Sequence, residues 1–321
     1  MTTTTRKPAL AMLTVLVSTV LATSVLALTA CTTGRSDGAA EPAASPRSDA
    51  APSLPYPPTG DSVKREDGIV YRTVDGQKLT INACTPEHPS DTVPAVLIIH
   101  GGGFWRGSNT SVNMGKVCDA LVEAGMAGFS VEYRLAPAHP FPAAVDDLQA
   151  AVQWLREPAQ VERFGIDPTR IGALGGSAGA NLAMELGMLG TGDLTSGSRV
   201  AAVVSLSGPT DLTVAGLALG DIGEGRINIV RGYLGCTVIA NCPQARDASP
   251  LYQVDPSDPP LFIAHSVDEP IPVAQAEVMI KAMRDAGITV ESRLLPGRAH
   301  AFAYLDAPLW NDIVAFLRAS L

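Results

Sequence analysis

Short apolar runs alternate with stretches of helical spacing along most of this chain. Val96-Leu97-Ile98-Ile99, Ala127 to Val131, Arg170-Ile171-Gly172-Ala173-Leu174, Val200 to Leu206, Leu261 to His265 and Thr289 to Leu295 read as buried strands. Between them, helices are expected near Val112 to Ala124 and Ala143 to Arg156. In the second of these, Val145, Leu148, Val152 and Leu155 recur three and four residues apart and build one apolar face. Another helix is expected after residue 177, and strand, helix, strand and helix resume from Leu261 to Leu321. Ahead of the first run, Gly68 to Val74 and Lys78 to Cys84 flank Asp75-Gly76, a two-residue hairpin signal, so the domain is expected to open with antiparallel strands. The alternation that follows demands a largely parallel sheet covered on both faces. From about Gly208 to Ser249 it lapses into a glycine-containing stretch, expected to be irregular. That stretch is either a lid or pocket wall or a surface excursion.

The start of the chain has another pattern. Arg6 and Lys7 precede Leu10 to Leu28, which is apolar and uncharged and ends at Leu28-Thr29-Ala30-Cys31. A basic segment, an apolar segment and small residues before a break describe a secretory signal over residues 1–30. The cysteine that follows resembles the bacterial lipoprotein signal, in which Cys31 becomes the lipidated N-terminus. An uncleaved membrane-spanning anchor and ordinary secretion are the alternatives, and all three place the remainder outside the cytoplasm. Residues 31–62 are rich in Ala, Pro, Ser and Thr without apolar periodicity and read as a tether. Residues 63–321 then form one globular domain, consistent with 46% apolar and 17% charged residues over the whole chain. The net charge of −9 argues against nucleic acid as a partner, so the expected membrane link is the lipid anchor and not a basic patch. Outside the cytoplasm, oxidation of the four other cysteines is permitted. Cys236 and Cys242 suit a local bridge, leaving Cys84 and Cys118 as a second pair or as two buried thiols.

Candidate chemistry centres on Gly175-Gly176-Ser177-Ala178-Gly179, a G-x-S-x-G pattern between an expected strand and an expected helix. Such a turn presents a serine hydroxyl at its apex, which makes Ser177 the candidate nucleophile, against the simpler reading of a helix N-cap. Upstream, His100-Gly101-Gly102-Gly103-Phe104-Trp105 ends a strand; backbone N–H groups of Gly101 and Gly102, with that of Ala178, are assigned to an oxyanion hole. Near the C-terminus, Pro296-Gly297-Arg298-Ala299-His300-Ala301-Phe302 places His300 in a loop after a strand, as the general base. The orienting carboxylate is expected from the loop after Leu261 to His265. Asp268 is favoured there and Glu269 is its rival, with Asp211 a more distant alternative.

These motifs, with Tyr133-Arg134-Leu135-Ala136-Pro137 and Asp167-Pro168-Thr169-Arg170, appear in an order that resembles the α/β-hydrolases of the hormone-sensitive-lipase-like esterase group, from about Val63 to Leu321. The resemblance implies an α/β-hydrolase fold with a mostly parallel central sheet and helices on both faces. It also implies serine-dependent hydrolysis of carboxylic esters, small or polymer-linked, through an acyl-enzyme made by Ser177, His300 and Asp268. Two departures stand out: Gly176 occupies a position where many relatives carry an acidic residue, and a large N-terminal cap is not expected. Without that cap the pocket is expected to be open and to favour short acyl groups. No metal-ligand spacing or dinucleotide fingerprint is found, so no cofactor is implied. Among the other histidines, His88 is expected in solvent, His139 near the pocket, His265 packed against the acid loop, and His100 holding the glycine loop. Asp146 and Asp147 are expected to face solvent or complement a helix dipole. Phe104 and Trp105 either contact substrate or fill the core. The alternative function is a non-catalytic extracytoplasmic binding lipoprotein.

Overall fold

In the computed structural model, Asp75 and Gly76 both take positive φ, 49° and 81°. This is the turn geometry whose twist matches antiparallel strands, and it joins β1 (Val63–Val74) to β2 (Gln77–Pro86). The structure describes residues 63–87 and 91–321; the expected signal, the lipidation site Cys31, the tether and His88 lie outside the described residues. β3 (Val93–Ile99), β4 (Ala127–Val131), β5 (Ile166–Gly176), β6 (Ala202–Leu206), β7 (Leu261–Ser266) and β8 (Val290–Leu295) complete one sheet in the order β1-β2-β4-β3-β5-β6-β7-β8. β2 pairs with β4 antiparallel, and every pairing from β4 to β8 is parallel.

Side chains alternate along the central strands. Ala95, Leu97 and Ile99 of β3 enter one apolar cluster while Val96 and Ile98 enter the other. The first cluster is filled from α2 (Ala143–Leu155), α3 (Pro158–Phe164), α4 (Ala178–Met188) and α8 (Val273–Asp285), and the second from α1 (Val112–Glu123) and α9 (Ala307–Ser320). Two disulfides form: Cys236–Cys242, the bridge expected from spacing, and Cys84–Cys118 between β2 and α1, which takes the paired one of its two expected states.

Two expectations are corrected. Asp147 does not face solvent: it is fully buried on α2, 2.7 Å from Arg72 and 2.9 Å from Arg134, and it also accepts the backbone N–H of Arg134. It ties α2 to β1 and to the segment after β4, whereas Asp146 is exposed. The stretch from Gly208 to Ser249 is not irregular. It holds α5 (Val214–Leu217), α6 (Gly223–Leu234) and α7 (Gln244–Asp247). Gly223, Gly225 and Gly232 lower the helix propensity of α6, so its helicity depends on burying Val230, Tyr233 and Leu234. Tyr233 stacks on Phe104 with ring centroids 3.7 Å apart.

The base of this insertion is fixed by Gln275 of α8, which is buried. Its amide oxygen accepts the N–H groups of Thr210 and Asp211, each at 2.8 Å, and its amide nitrogen donates to the carbonyls of Asp211 and Gly216. Replacing Gln275 by methionine keeps the volume and strands those four backbone groups. We expect a loss of about 3 kcal/mol, read as a lower denaturant midpoint at unchanged slope.

Candidate active site

The turn from β5 into α4 passes so close to the end of β3 that a Cβ on Gly179 would lie 2.2 Å from the carbonyl oxygen of Ile99. Only glycine fits that passage. At the apex Ser177 is held at φ 57° and ψ −122°, a strained conformation for a residue with a side chain, while its N–H donates to the carbonyl of Leu206 at 2.8 Å. Ser177 is thus not an ordinary N-cap, and its side chain makes no cap hydrogen bond.

The glycine loop lies directly alongside. A Cβ on Gly101 would stand 3.2 Å from that of Ser177. Gly101, Gly102 and Ala178 line one pocket of about 540 Å3 together with Ser177 and His300. Ala178 opens α4, where the first N–H groups have no acceptor inside the helix. His100 does hold this loop: its Nδ1 donates to the carbonyl of Gly101 at 2.9 Å, its ring stacks on Tyr133, and its own carbonyl accepts the Tyr133 hydroxyl. Burial lowers the His100 pKa, which keeps the ring neutral in this role. Phe104 is core, whereas Trp105 is half exposed in the pocket.

The carboxylate that meets His300 is Glu269, through Oε2 and the histidine Nδ1, and not the favoured Asp268. Asp268 is exposed; its backbone N–H donates to the carbonyl of Gly297. β7 ends at Ser266, Val267 and Asp268 turn outward, and the longer Glu269 side chain folds back under the strand end, where the Ser266 N–H donates to Oε1. His265 is buried as anticipated, with its Nε2 3.0 Å from Glu269 Oε1 and 2.8 Å from the carbonyl oxygen of Ile271. Burial pushes the Glu269 pKa up, but hydrogen bonds from His265 and His300 outweigh it and bring the value down to about 2. An ionised acceptor at Nδ1 favours the ring tautomer with its proton on that nitrogen and a free lone pair on Nε2. Asp211 is buried and committed elsewhere, accepting from the Thr213 N–H and the Tyr252 hydroxyl. His139 is not among the residues lining the pocket.

Two positioning residues escaped the sequence reading. Ser207, just past β6 at φ 59°, accepts the Ala301 N–H and donates to the Tyr304 hydroxyl, which in turn donates to the carbonyl of Ala264. This chain fixes the loop bearing His300 to the ends of β6 and β7. Its signal was a serine directly after a buried strand, two residues beyond Ser205. The departure at Gly176 also has a cause: a Cβ there would lie 2.4 Å from the ring of Phe302.

Because the Glu269 pKa is depressed below the ordinary value of 4.5, the carboxylate contributes stability that is complete above pH 4.5 and lost as pH falls towards 2. The unfolding midpoint of Glu269→Gln should therefore lie below that of the native protein at pH 7, with the gap narrowing at pH 2.5. A gap of constant size would contradict an ionised Glu269.

Residues 81–283, more than half of the chain, match the family model described as BD-FAE. Esterase LipC of Mycobacterium tuberculosis is 31% identical over 246 residues, covering 71% of this chain and 59% of that protein. Carboxylesterase NlhH of the same species is 38% identical over 124 residues, 38% of each chain. The chain thus spans well under two thirds of the length of these relatives. A bacterial heroin esterase superposes with a TM-score of 0.67 at 28% identity, covering 81% of this chain and 84% of that one. EstE1, a thermostable carboxylesterase from a metagenomic library, superposes with a TM-score of 0.68 at 26% identity over 81% and 90%. By its sheet, its strained serine turn and this match, the chain belongs to the BD-FAE family and has the α/β-hydrolase fold.

Proposed function

We propose that this protein hydrolyses carboxylic esters by nucleophilic acyl transfer. One observation carries the reading: His300, paired with the buried carboxylate of Glu269, lines the same pocket as the strained Ser177. His300 Nε2 takes the Ser177 proton as the hydroxyl attacks the ester carbonyl. The N–H groups of Gly101, Gly102 and Ala178 stabilise the oxyanion. His300 then protonates the departing alcohol and activates the water that releases the acid. Glu269 holds the ring tautomer and stabilises the imidazolium. The esterase and carboxylesterase names of the relatives support the same chemistry.

Short acyl groups are the proposed substrates, because residues 31–62 carry no apolar periodicity from which to build a cap, and Leu217, Ile229 and Val230 of the α5–α6 insertion contribute to the apolar pocket lining. We also propose an extracytoplasmic location with Cys31 as the lipid-anchored residue, a reading that rests on the sequence of residues 1–31. Metabolic labelling with a fatty-acid analogue, lost in Cys31→Ala, tests it.

A p-nitrophenyl ester series from acetate to palmitate, hydrolysed by the full chain in detergent, tests the activity. The rate should peak at short chains and fall about 10⁴-fold or more in Ser177→Ala. A well-folded protein inert toward every member would favour the binding-lipoprotein alternative. Within the same assay Glu269→Gln should lower kcat by about 10⁴-fold, as loss of an orienting carboxylate does, while Asp268→Asn stays within about threefold. The reverse order would restore Asp268 as the acid.

A further inference from the structure

Apart from His100 and His300, the ionisable side chains lining the pocket are Arg106, Asp211 and Arg226. Asp211 is only 3% exposed, and both of its carboxylate oxygens are occupied by the Thr213 N–H and the Tyr252 hydroxyl. Neither arginine lies within ion-pair distance of a carboxylate among the described residues. Among the described residues the pocket therefore carries two guanidinium groups without an ion-pair partner, beside one carboxylate already occupied by neutral donors.

Their placement is specific. Arg226 sits four residues after Ile222 and three and four before Ile229 and Val230, so these side chains share one face of α6, and all of them line the pocket. That face lies against the glycine loop, since a Cβ on Gly103 would be 3.2 Å from Ile229 Cγ2. One Nη1 hydrogen bond, 2.8 Å to the carbonyl of Ile222, steadies the Arg226 side chain and leaves the rest of its donor fork without an acceptor among the described residues. Arg106 follows the glycine loop, with its guanidinium carbon 5.2 Å from the centroid of the Trp105 ring. Both arginines are exposed where they line the pocket, open to an incoming ligand, and a planar fork of N–H donors matches the two oxygens of a carboxylate.

We infer that the preferred substrates are esters that also bear a carboxylate, which Arg226 engages with help from Arg106. The inference rests on the ester-hydrolase reading and adds the chemical class of the ester. The carboxylate belongs either to the acyl half or to the alcohol half of the substrate, and matched probes separate the two.

The test uses the full chain in detergent with two pairs of compounds. In one pair, 3-acetoxybenzoate and 3-acetoxybenzamide, the charge is on the alcohol side; in the other, the monophenyl ester of adipic acid and its terminal amide, it is on the acyl side. Binding of the intact esters to Ser177→Ala is measured by calorimetry, and kcat/KM is measured with Ser177 present. In one pair the carboxylate should be favoured roughly fivefold to tenfold, the scale of a partly exposed charge-assisted contact. The preference should shrink in 0.5 M NaCl, fall to about one in Arg226→Gln, and survive in part in Arg226→Lys. A ratio near one in both pairs, or a preference untouched by Arg226→Gln and by Arg106→Gln, overturns the inference. If phenyl acetate is not cleaved at all, the hydrolase reading fails while the binding ratios still decide whether the pocket selects carboxylates.

Discussion

The tight passage of the β5–α4 turn over the end of β3 is the constraint from which the rest of the site follows. It forces a glycine at position 179, drives Ser177 to positive φ, and brings Gly101 so near the serine that a side chain at 101 would crowd its Cβ. Conformational strain of this kind costs of order 1–3 kcal/mol and persists only where its surroundings over-determine it. Here they do. The Ser177 N–H is tied to Leu206, the central strands are fully buried on both faces, and His100 and Tyr133 brace the loop opposite. Polar groups that must meet in one small volume are thus carried by backbone segments with little freedom to move.

The acid side of the site works by a different device. Glu269 is sealed from solvent, a cost that would ordinarily neutralise a carboxylate, and it stays charged because donors converge on it from His265, His300 and the Ser266 N–H. The histidine loop is pinned separately, through Ser207 and Tyr304 to the strand ends. Acid and base are therefore positioned by two hydrogen-bond systems that meet at the Glu269–His300 contact and again where the Ser207 side chain reaches Glu269.

Much of this was legible in the sequence. Runs such as Val96 to Ile99 are apolar at every position because parallel strands are covered on both faces, and the G-x-S-x-G and His-Gly-Gly-Gly motifs sit at strand ends where composition changes abruptly. What escaped depended on contacts between distant segments. α6 has too many glycines to announce itself, and it is helical because Tyr233 and Leu234 are buried, Tyr233 against Phe104 in a loop far upstream. Asp147 looked like a surface residue because its partners, Arg72 and Arg134, come from other elements. The choice between Asp268 and Glu269 turned on which of two adjacent residues faces inward after a strand ends, and that is set by the path of the turn and by side-chain length rather than by residue type.

The ring of Phe302 fills the space that a side chain at position 176 would need, only two residues from His300 and one from Ser177. Positions 176 and 302 therefore behave as a single unit of variation. An aspartate at 176 becomes sterically admissible only once the ring at 302 has swung aside or been cut down, so the side chain at 302 decides what position 176 can hold.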